Sequence, residues 1–238
     1  MTSVLERISV DRVVFSVEFM PPRDDADERI LWRSIRELEG LSDLPTNRVD
    51  WTLSADRAVL LVHDMQNYFL RAFTPNTSPV TELVANVRHL TARCRALAIP
   101  VVYSAQPGGQ TTEQRGLQLD MWGRGISADP KDAEILPAVE PSKSDIRMTK
   151  WRYNAFHRTT LDTVLAERDQ LVITGIYAHI GCLMTAADAF MRDIQSFFVA
   201  DAVADFSRAD HDMALRYAAG RCGVVTTTTD LLTSLEGA

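Results

Sequence analysis

The run Ala58-Val-Leu-Leu-Val62 is the strongest structural constraint in the chain. Its unbroken apolar stretch has no polar face, so it matches neither an amphipathic helix nor a half-exposed strand. It suits a strand buried on both sides, as in a parallel sheet covered by helices. The chain that follows keeps to this plan. Val80, Leu83, Val84, Val87, Leu90, Cys94 and Leu97 recur at helical spacing, with Ser78 placed to cap and Pro79 at the first helical position. Pro100 punctuates that helix, and Val101–Ala105 reads as a second strand. Asp145–Thr149 is a third, diluted by charge.

A helix is expected over Leu161–Glu167, a strand over Leu171–Thr174, a helix over Leu183–Arg192 and a strand over Phe197–Ala200. Met213, Leu215, Tyr217 and Ala218 mark another helix, which Gly220 is expected to end in a left-handed cap. Val224–Thr227 is the last strand. Such alternation requires right-handed crossovers. It predicts an α/β fold: a single three-layer Rossmann-like domain, with a mostly parallel sheet of about six strands flanked by helices.

Residues 1–43 break the pattern. Val13–Val17 is apolar, Pro21-Pro22 interrupts the chain, and Asp27–Glu39 reads as a charged helix. This segment is expected to be an extension of unknown role without chemistry, Met20 being a candidate internal start, and 44–238 the catalytic domain. The apolar runs are too short to span a bilayer, so no membrane partner is expected. With no secretory signal at the N-terminus, a cytoplasmic protein is expected. Cys94, Cys182 and Cys222 lie far apart without a CxxC pair, so neither a disulfide framework nor a metal knuckle is indicated. A net charge of −7 argues against nucleic acid as a partner. It also means that a site for an anion must be locally basic.

In open parallel sheets, ligands bind beyond the carboxyl ends of the strands. The first strand ends at His63-Asp64, the second at Gln106 and the third at Lys150, and the fourth runs into Gly175–Gly181. An acid, an amide and a cation therefore converge on one edge. Taken singly, an Asp after a strand also serves as a cap or turn former.

These residues carry a resemblance. Arg57-Ala-Val-Leu-Leu-Val-His-Asp-Met-Gln-Asn-Tyr-Phe69 resembles the first strand and acidic motif of isochorismatases. Val102-Tyr-Ser-Ala-Gln-Pro107, Gln114-Arg-Gly116, Asp120-Met-Trp-Gly123 and Lys150-Trp-Arg-Tyr-Asn-Ala-Phe156 follow in family order. So do Thr174-Gly-Ile-Tyr-Ala-His-Ile-Gly-Cys182, Asp188-Ala-Phe-Met-Arg-Asp193 and Val199-Ala-Asp-Ala-Val-Ala-Asp-Phe-Ser207. With the lead-in Leu44-Pro-Thr-Asn-Arg-Val-Asp-Trp51, the likeness extends from about Leu44 to Leu232. The wider superfamily includes cysteine hydrolases, among them nicotinamidases, built on Asp, Lys and Cys. Their nucleophile position aligns with Gly181, not with Cys182, and a thiol moved by one residue points elsewhere. The nicotinamidase metal stretch is replaced by Ser104-Ala-Gln-Pro-Gly-Gly109, so no metal or cofactor is implied.

The resemblance implies acid-catalysed hydrolysis of a vinyl ether, releasing pyruvate from isochorismate or 2-amino-2-deoxyisochorismate. Asp64 is the candidate acid, with Lys150 and Gly181 completing the catalytic set. Gln106, Arg115 and Tyr177 are expected to bind the dicarboxylate substrate, with Arg suited to bidentate carboxylate recognition. Two other classes remain open: a cysteine amidohydrolase using Cys182, or a non-catalytic binding protein. Ala105–Gly116 leans toward the phenazine-type enzymes, while the stretches beginning at Ala178 and Asp188 lean toward the siderophore type. The chain runs out at Ala238, so no carrier domain is expected in it. A homodimer or higher homo-oligomer is implied by resemblance alone.

Other readings of single residues are plainer. Tyr177 is equally suited to the core. His63 and His179, beside strand ends, read as hydrogen-bonded structural groups, and Cys182 as a packing thiol. Asp201 and Asp205 read as turn formers, because no histidine or third carboxylate stands near them at ligand spacing.

Overall fold

The computed structural model describes residues 44–236, together with the backbone of Ser9–Val10 and Val13–Val14. The chain divides into two units, Met1–Asp43 and Leu44–Ala238. In the first, Ser9–Val10 pairs antiparallel with Val13–Val14. The helix expected over Asp27–Glu39 lies outside the described residues.

In the second unit the buried apolar runs form β1 (Ala58–His63), β2 (Val101–Ala105), β3 (Ile146–Thr149), β4 (Gln170–Ile176), β5 (Gln195–Ala204) and β6 (Gly223–Thr226). The sheet order is β3-β2-β1-β4-β5-β6, with every neighbouring pair parallel. The chain therefore winds outward from β1 in one direction, then crosses back to continue from β4. The carboxyl ends of β1 and β4 flank the reversal, where a crevice is left open.

Strand residues alternate between faces, and both faces are covered. Val59 and Leu61 pack into one core with Ile173, Phe198 and Leu183. Ala58, Leu60 and Val62 face the other, with Val87, Leu90 and Leu231. Four main helices supply the cover: α1 (Val80–Ala96), α2 (Leu183–Met191), α3 (Arg208–Arg221) and α4 (Thr228–Ser234). Leu60 and Leu61 are fully buried, each contributing about 1.5–3 kcal/mol.

Several local expectations are corrected. Ser78 does not cap α1; Pro79 occupies the N-cap position, and the Thr77 carbonyl accepts from the amides of Val80 and Thr81. Gly220 lies inside α3, with no left-handed φ, and Cys222 ends the helix. The helix expected over Leu161–Glu167 is one turn, Leu161–Val164. Strand β5 runs past Ala200 because, after a register shift, Val203 and Ala204 pair with Gly175 and Ile176. Thr227 leaves β6 and caps α4, its hydroxyl accepting from the Asp230 amide at 3.1 Å.

Candidate active site

Asp64 follows β1 directly, in a left-handed conformation (φ 46°) that aspartate tolerates better than most residues. The adjacent parallel strands bring its partners. Ser104, on β2, donates its hydroxyl to Asp64 Oδ1 at 2.8 Å. Gln106, just past β2, donates Nε2–H to Oδ2 at 3.0 Å. Lys150, just past β3, places Nζ 2.9 Å from the same oxygen. Asp64 and Lys150 are 4% and 1% exposed. Gln66 clamps Gln106 by donating to its carbonyl and accepting from its amide, both at 2.8 Å.

Burial works to raise the proton affinity of Asp64, but the Lys150 ammonium, then His63 and the bonds from Lys150 and Gln106, overcome it. The carboxyl is held below its ordinary value. Lys150 also donates to the carbonyls of Arg152 at 2.6 Å and Tyr153 at 3.3 Å. Its three N–H donors are thereby occupied, so it acts on a ligand through charge. Gln106 Oε1 is buried without a hydrogen-bond partner among the described residues, an acceptor open to a donor.

These groups floor a cavity of about 400 Å³, whose lining includes Arg115, Gln118, Tyr177, Gly181, Trp122 and Phe206. Arg115 ends the one-turn helix Thr112–Arg115 and is 6% exposed. Its Nε–H bonds the Gly123 carbonyl at 3.0 Å. Gly125 makes room for the guanidinium: a Cβ there would lie 2.7 Å from Arg115 Cζ. Among the described residues no carboxylate pairs with Arg115, and burial lowers its pKa. Tyr177 presents its ring to the cavity, since its hydroxyl donates to the Phe69 carbonyl at 2.6 Å and its ring packs 4.0 Å from that of Phe206.

Gly181 meets a neighbour that was read as merely structural. A Cβ at 181 would lie 2.2 Å from His63 Cε1 and 2.9 Å from both ring nitrogens. The imidazole thus fills the space beside Gly181. It is fully buried, with Nδ1 3.1 Å from the Ile176 carbonyl and Nε2 3.5 Å from Thr185 Oγ1. Burial pushes the pKa down to about 4, so the ring is neutral at pH 7.

Cys182 faces away from the cavity, as a fully buried thiol 4.0 Å from the Thr174 carbonyl, and burial raises its pKa well above the ordinary value. A thiol so placed is no nucleophile. Asp201 and Asp205 are not turn formers. Asp201 accepts from the amide and hydroxyl of Thr228 at the start of α4. Asp205 pairs with His179 Nδ1 at 2.7 Å, so a histidine does stand beside it in space.

The comparisons match this architecture. Residues 58–230 fit the family described as the isochorismatase domain. The chain belongs to the isochorismatase family. It is 55% identical over 199 residues to an isochorismatase of Bacillus subtilis, covering 83% of this chain and 64% of that protein. It is 50% identical over 191 residues to the phenazine biosynthesis protein PhzD1 of Pseudomonas aeruginosa, covering 79% and 91%. A solved cysteine hydrolase from Pseudomonas syringae shares the fold with a TM-score of 0.72 at 25% identity, over 81% of this chain and 98% of that one. The chain thus spans less than two thirds of its Bacillus relative.

Asp64, Gln106, Arg115, Lys150, Tyr177 and Gly181 all line this cavity. Sequence reading passed over Ser104, Gln66 and Gln118. Ser104 carried a weak signal, a hydroxyl within an otherwise apolar strand two residues before Gln106. Gln118 stands three residues after Arg115, helical spacing that the intervening glycine obscured.

Proposed function

We propose that the chain is a vinyl-ether hydrolase that releases pyruvate from isochorismate or 2-amino-2-deoxyisochorismate. The observation that carries this reading is the buried Asp64–Lys150 pair beneath a cavity that also holds Arg115, which has no counter-ion among the described residues. Beside Arg71, which pairs with Asp132, the lining sets the one carboxylate of Asp64 against the two cations Lys150 and Arg115, which favours an anionic ligand. A substrate bearing two carboxylates reverses that balance. The added negative charge raises the proton affinity of Asp64, so a solvent proton is taken up with the substrate. Asp64 gives this proton to the vinyl methylene carbon, leaving an oxocarbenium ion. Water adds to the cationic carbon and its extra proton returns to Asp64. The hemiketal then collapses: the ether C–O bond breaks, the ring oxygen leaves as a hydroxyl, and pyruvate forms. Positioned acid catalysis contributes about 10²–10⁴-fold.

Gln106 Oε1 is suited to accept from a ring hydroxyl or amine, and Arg115 to bind a carboxylate. The Tyr177 ring lines the space that would take the enolpyruvyl group, while the place of a side chain at Gly181 is taken by the His63 ring. Cytoplasmic location belongs to the same reading, supported by three cysteines held as buried free thiols; no helix among the described residues is long and apolar enough to cross a membrane. Self-association belongs to the same reading and rests on the family resemblance.

Pyruvate release from each substrate, with the Asp64→Ala variant alongside, tests the proposal. Release from either substrate, reduced at least about 10²-fold in the variant, supports it, and the ratio of kcat/KM values chooses the substrate. No release from either sinks it.

A further inference from the structure

Arg115 and Gln118 stand three residues apart, on consecutive short helical segments, Thr112–Arg115 and Gln118–Trp122. Both side chains are more than nine-tenths buried and both line the cavity. Arg115 Nη1 approaches Gln118 Oε1 at 3.4 Å. A guanidinium has only donors, so Gln118 must turn its carbonyl oxygen toward it. That choice fixes the rest of the carboxamide. The NH2 group is left without a hydrogen bond among the described residues and keeps some solvent exposure. Arg115 Nη2 likewise has no hydrogen-bond partner there. An arginine and an amide, both lining the cavity, thus carry unused donors at its wall. The Asp64–Lys150–Gln106 network at the floor is separate: its hydrogen bonds run to Ser104, Gln66, Arg152 and Tyr153, none to Gln118.

The geometry points to Gln118 as a substrate-binding and specificity-determining residue, whose side-chain N–H joins the Arg115 guanidinium on the same substrate carboxylate. This rests on the vinyl-ether reading for the identity of the substrate, though the subsite requires only a carboxylate. Two donor groups from different side chains restrict the carboxylate plane as well as its position. Gln118 also steadies the guanidinium through its own oxygen. Its contribution is made equally in ground and transition states, because the bound carboxylate does not change charge during the reaction. It therefore appears in KM and not in kcat.

The test compares wild type with Gln118→Leu and Gln118→Glu. In each, KM and kcat for pyruvate release are measured, together with benzoate affinity by calorimetry and the urea midpoint. Gln118→Leu removes the amide at similar volume. It is expected to raise KM about ten- to hundredfold, the worth of a hydrogen bond to a charged group, with kcat within about twofold. Benzoate affinity falls by a similar factor. Gln118→Glu sets a competing carboxylate against Arg115, so its KM improves as pH falls and that group protonates. A structural role alone would not produce such a profile. Unchanged KM and unchanged benzoate affinity in a folded Gln118→Leu protein overturn the inference. Weakened benzoate binding without pyruvate release from wild type would leave the carboxylate subsite standing and remove the vinyl-ether reading.

Discussion

Gly181→Ala probes the contact on which the shape of the site depends. Gly181 does not have a left-handed φ, so its backbone accepts alanine, and the obstacle is the His63 ring. The new Cβ would lie 2.2 Å from Cε1, where carbon atoms normally rest at about 3.5–4.0 Å. More than about 1 Å of movement is needed, in a ring that is fully buried and held at both nitrogens. Overpacking of this kind costs about 1–3 kcal/mol. For a domain of this size that lowers Tm by about 2–12 °C. His63 shares its backbone with Asp64, so a displacement of about 1 Å at the acid lowers kcat/KM by about 10²-fold. The double variant His63→Ala/Gly181→Ala gives the new methyl group its space. Urea unfolding of the four proteins should show the pair less destabilised than the sum of the singles, by about 1–3 kcal/mol. Additive singles, or a Gly181→Ala protein within about 0.5 kcal/mol of wild type, would refute the reasoning.

His63 also predicts a pH dependence. Its folded pKa is lowered from 6.5 to about 4, so between these values the unfolded chain binds a proton that the native ring refuses. Stability is therefore present in full above pH about 6.5 and is lost as pH falls toward 4, by about 3 kcal/mol at 1.4 kcal/mol per pH unit. His211, also held neutral by burial, adds in the same direction. Urea midpoints at pH 7, 5 and 4 check this, and His63→Gln should flatten most of the slope. Asp64, with a depressed folded pKa, contributes stability above its unfolded value that disappears only as pH falls through the lower folded one. Lys150→Met strands the Asp64 carboxylate in the interior and is expected to cost about 3–5 kcal/mol, read as a lowered urea midpoint. Iodoacetamide applied to the native protein should leave Cys182 unlabelled and pyruvate release intact. Rapid labelling of Cys182 with loss of activity would instead point to thiol chemistry.

The sequence by itself determined the layered fold. Ala58-Val-Leu-Leu-Val62 has no polar face to give to water, so a strand covered on both sides was the consistent solution, and the helical spacing from Val80 to Leu97 supplied one cover. Strand ends then placed Asp64, Gln106 and Lys150 at one edge, because parallel neighbours bring their carboxyl ends together. Tertiary structure decided how those groups meet. That Lys150 spends all its donors on Asp64 and two carbonyls depends on the turn after β3, which no periodicity records. The pairing of His179 with Asp205 joins residues 26 positions apart in sequence. The Gly181–His63 contact joins residues that differ by 118 in number (181 − 63), one ending β1 and the other in the turn after β4. A single sequence lists side chains but not the space between them, and whether a missing Cβ leaves a pocket or is filled by a neighbour's ring is fixed only when the strands pack.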